Sequence, residues 1–96
     1  MSKDSENNNV LQYLLLGKKG GKTSAKIIEM ILVRPYNPNQ LAKQLGMTYN
    51  TVQRHMKIMQ KYKLLEKKSS GYGSIYEATP KLIKDIEKFN ELKKLI

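Results

Sequence analysis

A mainly helical domain carrying one small β-hairpin is the fold this sequence predicts, on three observations. The seventeen residues from Leu41 to Lys57 set Ala42, Gly46 and Val52 four and six positions apart. Two crossing helices need that set: a small contact residue, a turn residue free in φ, and an apolar anchor. Beyond them, the stretch from Leu64 to Ala78 holds two short strand-like runs around a Ser/Gly-rich tip, the pattern of a hairpin. Finally, the charge is local: Gly17 to Lys68 holds twelve Lys and Arg against only Glu29 and Glu66, which is the whole formal excess of +10. A hairpin placed directly after the second helix of a helix-turn-helix is a wing, so the expected fold is a winged helix-turn-helix.

The elements follow in order. Met1 to Asn9 reads as a polar tail, with Asn7 to Asn9 placed to cap a short apolar helix over Val10 to Leu16. Gly17 to Lys22 is a basic glycine-rich loop, after which Thr23 or Ser24 can cap a helix through Ile27, Ile28, Met30, Ile31, Leu32 and Val33. Apolar on nearly every side, that helix should be mostly buried, and it must stop before Pro35, because the residue preceding a proline is pushed out of the α region. Asn37-Pro38-Asn39-Gln40 combines an Asn cap, proline at the first helical position and Gln three residues after the cap. The helix it opens should end at Leu45 with Gly46 as its stop. Thr48 caps the next helix, Tyr49 to Tyr62, whose Val52, Met56 and Met59 fall on one core-facing stripe. The wing spans residues 64–78. Thr79-Pro80 then repeats the cap-plus-proline signal, and a last helix from Lys81 to Ile96 sets Leu82, Ile86, Phe89 and Ile96 on one face. The expected organisation is a tail (residues 1–9), a winged helix-turn-helix domain (10–78) and a terminal helix (79–96).

Composition excludes several functions. A chain of 96 residues makes one domain that buries only ~60 to 65% of its unfolded surface. With no Cys and one His, a thiolate metal site or disulfide framework is ruled out, and a cytoplasmic setting is expected. No membrane segment is expected, since apolar runs such as Leu14 to Leu16 within Val10 to Leu16 are far short of the ~20 residues a span requires. The loop ending Gly21-Lys22-Thr23 is not a nucleotide-binding P-loop: Leu16 stands where that motif needs its first glycine. The lone His has no nucleophile or orienting partner in view, so no enzyme activity, cofactor or metal is expected.

Several groups of residues together resemble a family of small archaeal winged-helix regulators, related in fold to the metal-sensing ArsR-like repressors. They stand here as Gly20-Gly21-Lys22-Thr23, the run from Arg34 to Ala42, Tyr49-Asn50-Thr51-Val52 with His55, and Tyr72 to Tyr76. The resemblance covers roughly Gly20 to Tyr76 and implies a DNA-binding regulator of transcription. The chain departs from the family pattern at Ser24, where arginine is usual, at Asn50, where lysine is common, and at Tyr62-Lys63, where an Asn-Gly turn usually precedes the wing. Without the cysteines, metal sensing does not carry over.

The residues themselves point to double-stranded DNA as the partner. On the helix from Tyr49 to Tyr62, Gln53, Lys57, Asn50, Lys61 and Arg54 cover an arc of about 100° opposite the Val52 stripe. Arg can bond guanine O6 and N7, and Asn or Gln adenine N6 and N7, so Asn50, Gln53 and Arg54 are the expected base readers. Thr48, Tyr49 and Thr51, at the amino end, are placed to meet a phosphate. Lys57, Lys61, Lys67, Lys68, Ser69, Ser70 and Tyr72, with Lys18, Lys19 and Lys22 of the loop, are the expected backbone contacts. Tyr76 is expected to pack the hairpin. The apolar face Leu82, Ile86, Phe89 and Ile96 is the expected dimerisation surface, making a homodimer the expected assembly; no small-molecule effector is expected. A nonspecific architectural DNA-binding protein, or a winged module that binds RNA or protein, would share much of this pattern.

Overall fold

The computed structural model of the chain describes residues 10–70 and 73–96; the expected Asn7 to Asn9 cap and Tyr72 lie outside it, as do the side chains of Ser69 and Ser70. Residues 10–12 are helical and run into a π-helical turn, Tyr13–Gly17. Leu11, Leu14 and Leu15 of this segment are buried. Helix α1 spans Gly21–Val33, α2 Pro38–Leu45 and α3 Tyr49–Lys61; β1 (Leu65–Ser70) and β2 (Gly73–Ala78) form the wing; α4 (Pro80–Lys84) and α5 (Ile86–Lys93) complete the described chain. Mainly helical with one antiparallel hairpin after the second helix of a helix-turn-helix, the chain has the winged helix-turn-helix fold.

The start of α1 differs from expectation. Neither Thr23 nor Ser24 caps it: Gly20, in the left-handed region at φ 89°, is the cap, and the Ser24 N–H already bonds the Gly20 carbonyl at 3.1 Å. Ser24, thus inside the helix, turns its hydroxyl into the core. Gly21 answers a different constraint, since a Cβ there would stand 2.0 Å from the Leu15 carbonyl oxygen. The backbones of α1 and the π-turn touch, and only hydrogen fits between them. The helix is also less uniformly covered than its composition suggests: Ile27, Ile28 and Ile31 are buried, but Val33 at its end is 80% exposed.

The helix-turn-helix follows its sequence signals closely. Asn37 accepts a hydrogen bond from the Gln40 N–H at 2.8 Å, and Gln40 Oε1 accepts one from the Asn37 N–H at 3.1 Å, a complete capping box. At the far end of α2 the Met47 N–H bonds the Ala42 carbonyl at 2.9 Å and the Gly46 N–H reaches Lys43 at 3.4 Å, with Gly46 at φ 67°. This is a Schellman stop, whose left-handed residue is normally glycine. Helix α3 ends by the same device: the Leu64 N–H bonds the Met59 carbonyl and the Lys63 N–H that of Gln60, both at 2.9 Å. Here the left-handed residue is Lys63, at φ 65°. Leu64 and Met59, at the positions where such a stop commonly carries an apolar contact, are both buried in the core.

The wing is a two-stranded sheet in which Leu65 pairs with Ala78, Lys67 with Tyr76 and Ser69 with Ser74. An isolated antiparallel bridge adds Tyr36, whose N–H and carbonyl bond Tyr76 at 3.0 and 2.8 Å. Thr79 closes the wing's base. Its hydroxyl donates toward the Lys63 carbonyl at 2.7 Å and the Leu64 carbonyl at 3.1 Å, and accepts from the Leu82 N–H at 3.2 Å to cap α4.

The terminal helix is not continuous. It breaks at Asp85, whose N–H turns back to the Leu82 carbonyl at 3.0 Å, as suits a residue that competes poorly for interior helical positions. The buried line is Leu82, Phe89 and Leu92, packed into the chain's own core, while Ile86 and Ile96 stay 37% and 38% exposed. The expected four-residue face is therefore not a free surface, because α5 packs against the π-turn and α4 against β2. Lys93 ties α5 to α1 through Glu29 at 3.6 Å.

Two backbone substitutions should act in opposite directions. Gly21→Ala forces α1 away from the π-turn and should cost about 1 to 3 kcal/mol. Lys63→Gly removes the left-handed penalty and should gain about 1 kcal/mol, raising the melting temperature by roughly 4 to 8 °C for a domain of this size. Thermal unfolding checks both; a Lys63→Gly protein that melts below wild type contradicts the strain assigned to Lys63.

Candidate nucleic-acid interface

Helix α3 divides along its length. Val52, His55, Met56 and Met59 are buried, whereas Asn50, Arg54, Lys57 and Lys61 are exposed and Gln53 is half-buried. The five polar residues expected to face a nucleic acid thus share one outward arc, with no carboxylate among them. At the amino end Thr48 accepts a hydrogen bond from the Thr51 N–H at 3.2 Å and donates its own proton to Thr51 Oγ1 at 2.9 Å. The Thr51 hydroxyl still has its proton to donate. The Tyr49 and Asn50 N–H groups lie in the first turn, where no intrahelical partner exists, so this end presents donors suited to a phosphate.

Two flanks border the arc. On the wing side, Tyr49 and Gln53 line a cleft of about 280 Å3 with Asn39, Lys67, Ser74 and Tyr76. Strand alternation explains why Lys67 is there and Lys68 is not. Lys67 shares the face of Leu65 and Tyr76 that turns toward the core, while Lys68 lies on the outer face, ion-paired with Glu77 at 3.5 Å. Asn39, Ser74 and Tyr76 were not among the expected DNA contacts; what joins them is a register and a bridge to Tyr36 that no local sequence signal specifies.

On the opposite flank the basic loop meets α3 at His55. The ring is 8% exposed, its Nδ1 lies 3.2 Å from Ser24 Oγ, and a Cβ on Gly20 would stand 3.1 Å from its Cε1. The imidazole is thus held between α1 and the loop. Burial, and after it the positive charges of Arg54 and Lys18, holds its pKa below the ordinary 6.5, so it is neutral at pH 7. Lys18 and Arg54 are thus the two cations whose charge bears on the ring. Lys22 does not join them: it borders a separate hollow with Lys26, Glu29, Lys93 and Ile96, facing the terminal helix. Lys19 is exposed on the loop.

Of the expected dimer residues, Ile86 and Ile96 remain accessible, joined by Ile83 at 54% and Leu95 at 70% exposure. Among the described residues, no three His, Cys, Asp or Glu side chains gather in a way that could hold a metal ion. No helix of the described residues is long and apolar enough to cross a membrane.

The lowered pKa of His55 has a stability consequence. A group neutral in the fold and titrating near 6.5 when unfolded binds more protons unfolded, so its contribution is complete above pH 6.5 and is lost as the pH falls from there toward the folded value. The melting temperature should drop across that window. His55→Asn, which keeps a polar atom near Ser24 and cannot titrate, should flatten the drop; an unchanged slope assigns it to other groups.

No protein-family model and no curated protein sequence matches this chain. Solved structures do. The transcriptional regulator BldR from Sulfolobus solfataricus superposes with a TM-score of 0.72 at 18% identity, over 95% of this chain and 66% of that one. HlyU from Vibrio cholerae gives 0.69 at 16% identity, over 96% and 97% of the two chains. MepR from S. aureus, in a structure of its complex with DNA, gives 0.64 at 14% identity, over 97% and 77%. This chain therefore spans just under two thirds of the length of BldR and nearly all of HlyU. At these identities the likeness establishes the fold, that of winged-helix proteins among which are regulators of transcription.

Proposed function

We propose that this chain is a sequence-specific double-stranded DNA-binding regulator of transcription, with α3 in the major groove and the wing against the adjacent backbone. The observation that carries the proposal is the outward arc of α3, in which Asn50, Gln53 and Arg54 stand beside Lys57 and Lys61 with no carboxylate in the arc. Amide and guanidinium groups on such a face match the donor and acceptor pattern of base edges. Lysines without carboxylate partners supply the salt-dependent grip on phosphate. The flanks add reach in both directions, Lys67 through the wing and Lys18 through the loop. The known neighbours lend support: BldR is a transcriptional regulator, and MepR has been captured on DNA. The narrower kinship with small archaeal regulators, resting on the sequence resemblance, belongs to the same proposal.

A homodimer completes the reading, since two-fold related modules would read half-sites about 34 Å apart. Ile83, Ile86, Leu95 and Ile96, exposed along one end of the chain, are the surface proposed for it. Sedimentation at tens of micromolar should show a dimer that Ile86→Asp dissociates; a monomeric wild type rejects this part.

Site selection from a random duplex library, followed by binding across a salt series, tests the recognition itself. Arg54→Ala or Gln53→Ala should relax discrimination at one base pair by about 1 to 3 kcal/mol. Lys57→Ala should instead weaken all duplexes alike and lower the salt slope by about one. Equal affinity of the wild type for selected and scrambled duplexes would leave a nonspecific DNA-binding protein as the better description.

A further inference from the structure

The cleft between α3 and the wing is lined by a tyrosine whose hydroxyl bonds no group of the described protein. Tyr76 is 2% exposed, and its backbone N–H and carbonyl are both taken by Tyr36. Its phenol oxygen has no hydrogen-bond partner among the described residues, yet the side chain lines the cleft. That oxygen is not sealed in the core, since the fully buried side-chain oxygen without a partner among the described residues is Asp85 Oδ2; the phenol body is packed and its hydroxyl opens into the cleft. A phenylalanine would pack the same space and take away only the donor that faces the cleft.

The surroundings define what the hydroxyl could meet. Because Tyr76 spends both backbone groups on Tyr36, its pairing with Lys67 is of the non-hydrogen-bonded kind, which brings the two side chains closest together. Lys67 has no carboxylate partner among the described residues, in contrast to Lys68, which is held by Glu77. Tyr49 and Ser74 contribute two more hydroxyls, Gln53 and Asn39 two amides, and no Asp or Glu lines the wall. The amino end of α2 adds little, because its Asn37 side chain is committed to the capping box. Burial, and then the neighbouring Tyr49, push the Tyr76 hydroxyl above its ordinary value of 10, so it stays an O–H donor over any working pH. The cleft is therefore a set of donors around one ammonium group, with a volume of about 280 Å3.

We propose that this cleft is an oxyanion site, in which the hydroxyls of Tyr76, Tyr49 and Ser74 and the ammonium of Lys67 together hold one phosphate-type group. Two sources share that chemistry. One is a backbone phosphate of a bound duplex, which rests on the function proposed above; the other is a free small molecule bearing a phosphate or comparable oxyanion. Either assigns Tyr76, Tyr49 and Ser74 a polar role at the junction of helix and wing.

Inorganic phosphate is the probe. Titrated at fixed ionic strength into the whole, isotopically labelled chain, it should give saturable amide shifts concentrated at Gln53, Ser74 and Tyr76. Tyr76→Phe and, independently, Ser74→Ala should weaken that binding about threefold to tenfold, the loss of one hydrogen bond, with melting temperatures unchanged. Shifts spread evenly over exposed lysines such as Lys19 and Lys94, or unchanged affinity in Ser74→Ala and a folded Tyr76→Phe, overturn the proposal. Repeating the titration on the duplex complex separates the sources: phosphate excluded by the duplex identifies a backbone phosphate, and phosphate still bound identifies a separate ligand. Phosphate held in the cleft of a chain without duplex affinity would sustain the site while defeating the DNA reading. Duplex binding indifferent to both substitutions, with no phosphate in the cleft, does the reverse.

Discussion

Two backbone hydrogen bonds between Tyr36 and Tyr76 set the relation between the wing and everything else. They exist because the chain between α1 and α2 has little choice of conformation. Arg34 precedes Pro35 and Asn37 precedes Pro38, and a residue before proline is confined to extended geometry; Arg34 takes φ −163° and Asn37 φ −93°, both with ψ near 165°. Tyr36 is thus presented as a single strand residue with both polar groups free to pair. Its partner lies on β2, which in turn carries β1. The hairpin is consequently docked on the body of the protein along one edge, where an isolated two-stranded hairpin would be marginal. The cleft, the position of Lys67 and the angle between wing and α3 all descend from this pairing.

The second fixed point is the carboxyl end of α3. The length and exit direction of α3 are set, because both of its ends are closed by hydrogen bonds. Thr48 caps the start. The stop needs a left-handed residue, and the chain supplies Lys63 where glycine would be easier. The strain is tolerated because its neighbours over-determine it: Leu64 is buried with its N–H bonded to the Met59 carbonyl, and the Thr79 hydroxyl reaches back to the Lys63 carbonyl. One threonine therefore connects the end of α3, the base of the wing and the start of α4. The loss of its hydroxyl would be felt at all three.

What could be read from the sequence divides along the same lines. Signals that act within a few residues were legible: the Asn37 capping box, the Gly46 stop, the Thr48 cap and the Val52, Met56, Met59 stripe stand where the pattern places them. The outward arc of α3 was legible for the same reason, since a helical period fixes which side chains share a face. Features made by pairing distant segments were not. Nothing local says that Tyr36 bridges to Tyr76, so the cleft and its polar wall were missed. The terminal helix misled because its apolar period is real but its continuity is not. Asp85 divides it, and the π-turn against which α5 packs helps close the core that takes up Leu82 and Phe89. Ser24 looked like a cap and is instead a core hydroxyl, because Gly20 had already opened the helix.

The two flanks of α3 differ in a way that bears on how the interface can discriminate. At the loop side, the His55 ring is kept neutral by burial first and then by the positive charges of Arg54 and Lys18. Lysines at such a surface act through a field that falls off within about 8 Å at physiological salt and that is blind to base identity. At the wing side the groups are mostly uncharged donors fixed by the sheet register, and their contribution depends on geometry more than on ionic strength. Between them, Asn50 and Gln53 are uncharged as well. On the proposed reading, a ligand drawn by the lysines would be held, at close range, by hydrogen bonds whose directions the Tyr36 to Tyr76 pairing and the Lys63 stop have already fixed. Affinity would then vary with salt, while selectivity would be set by Arg54 together with the rigid half of the interface.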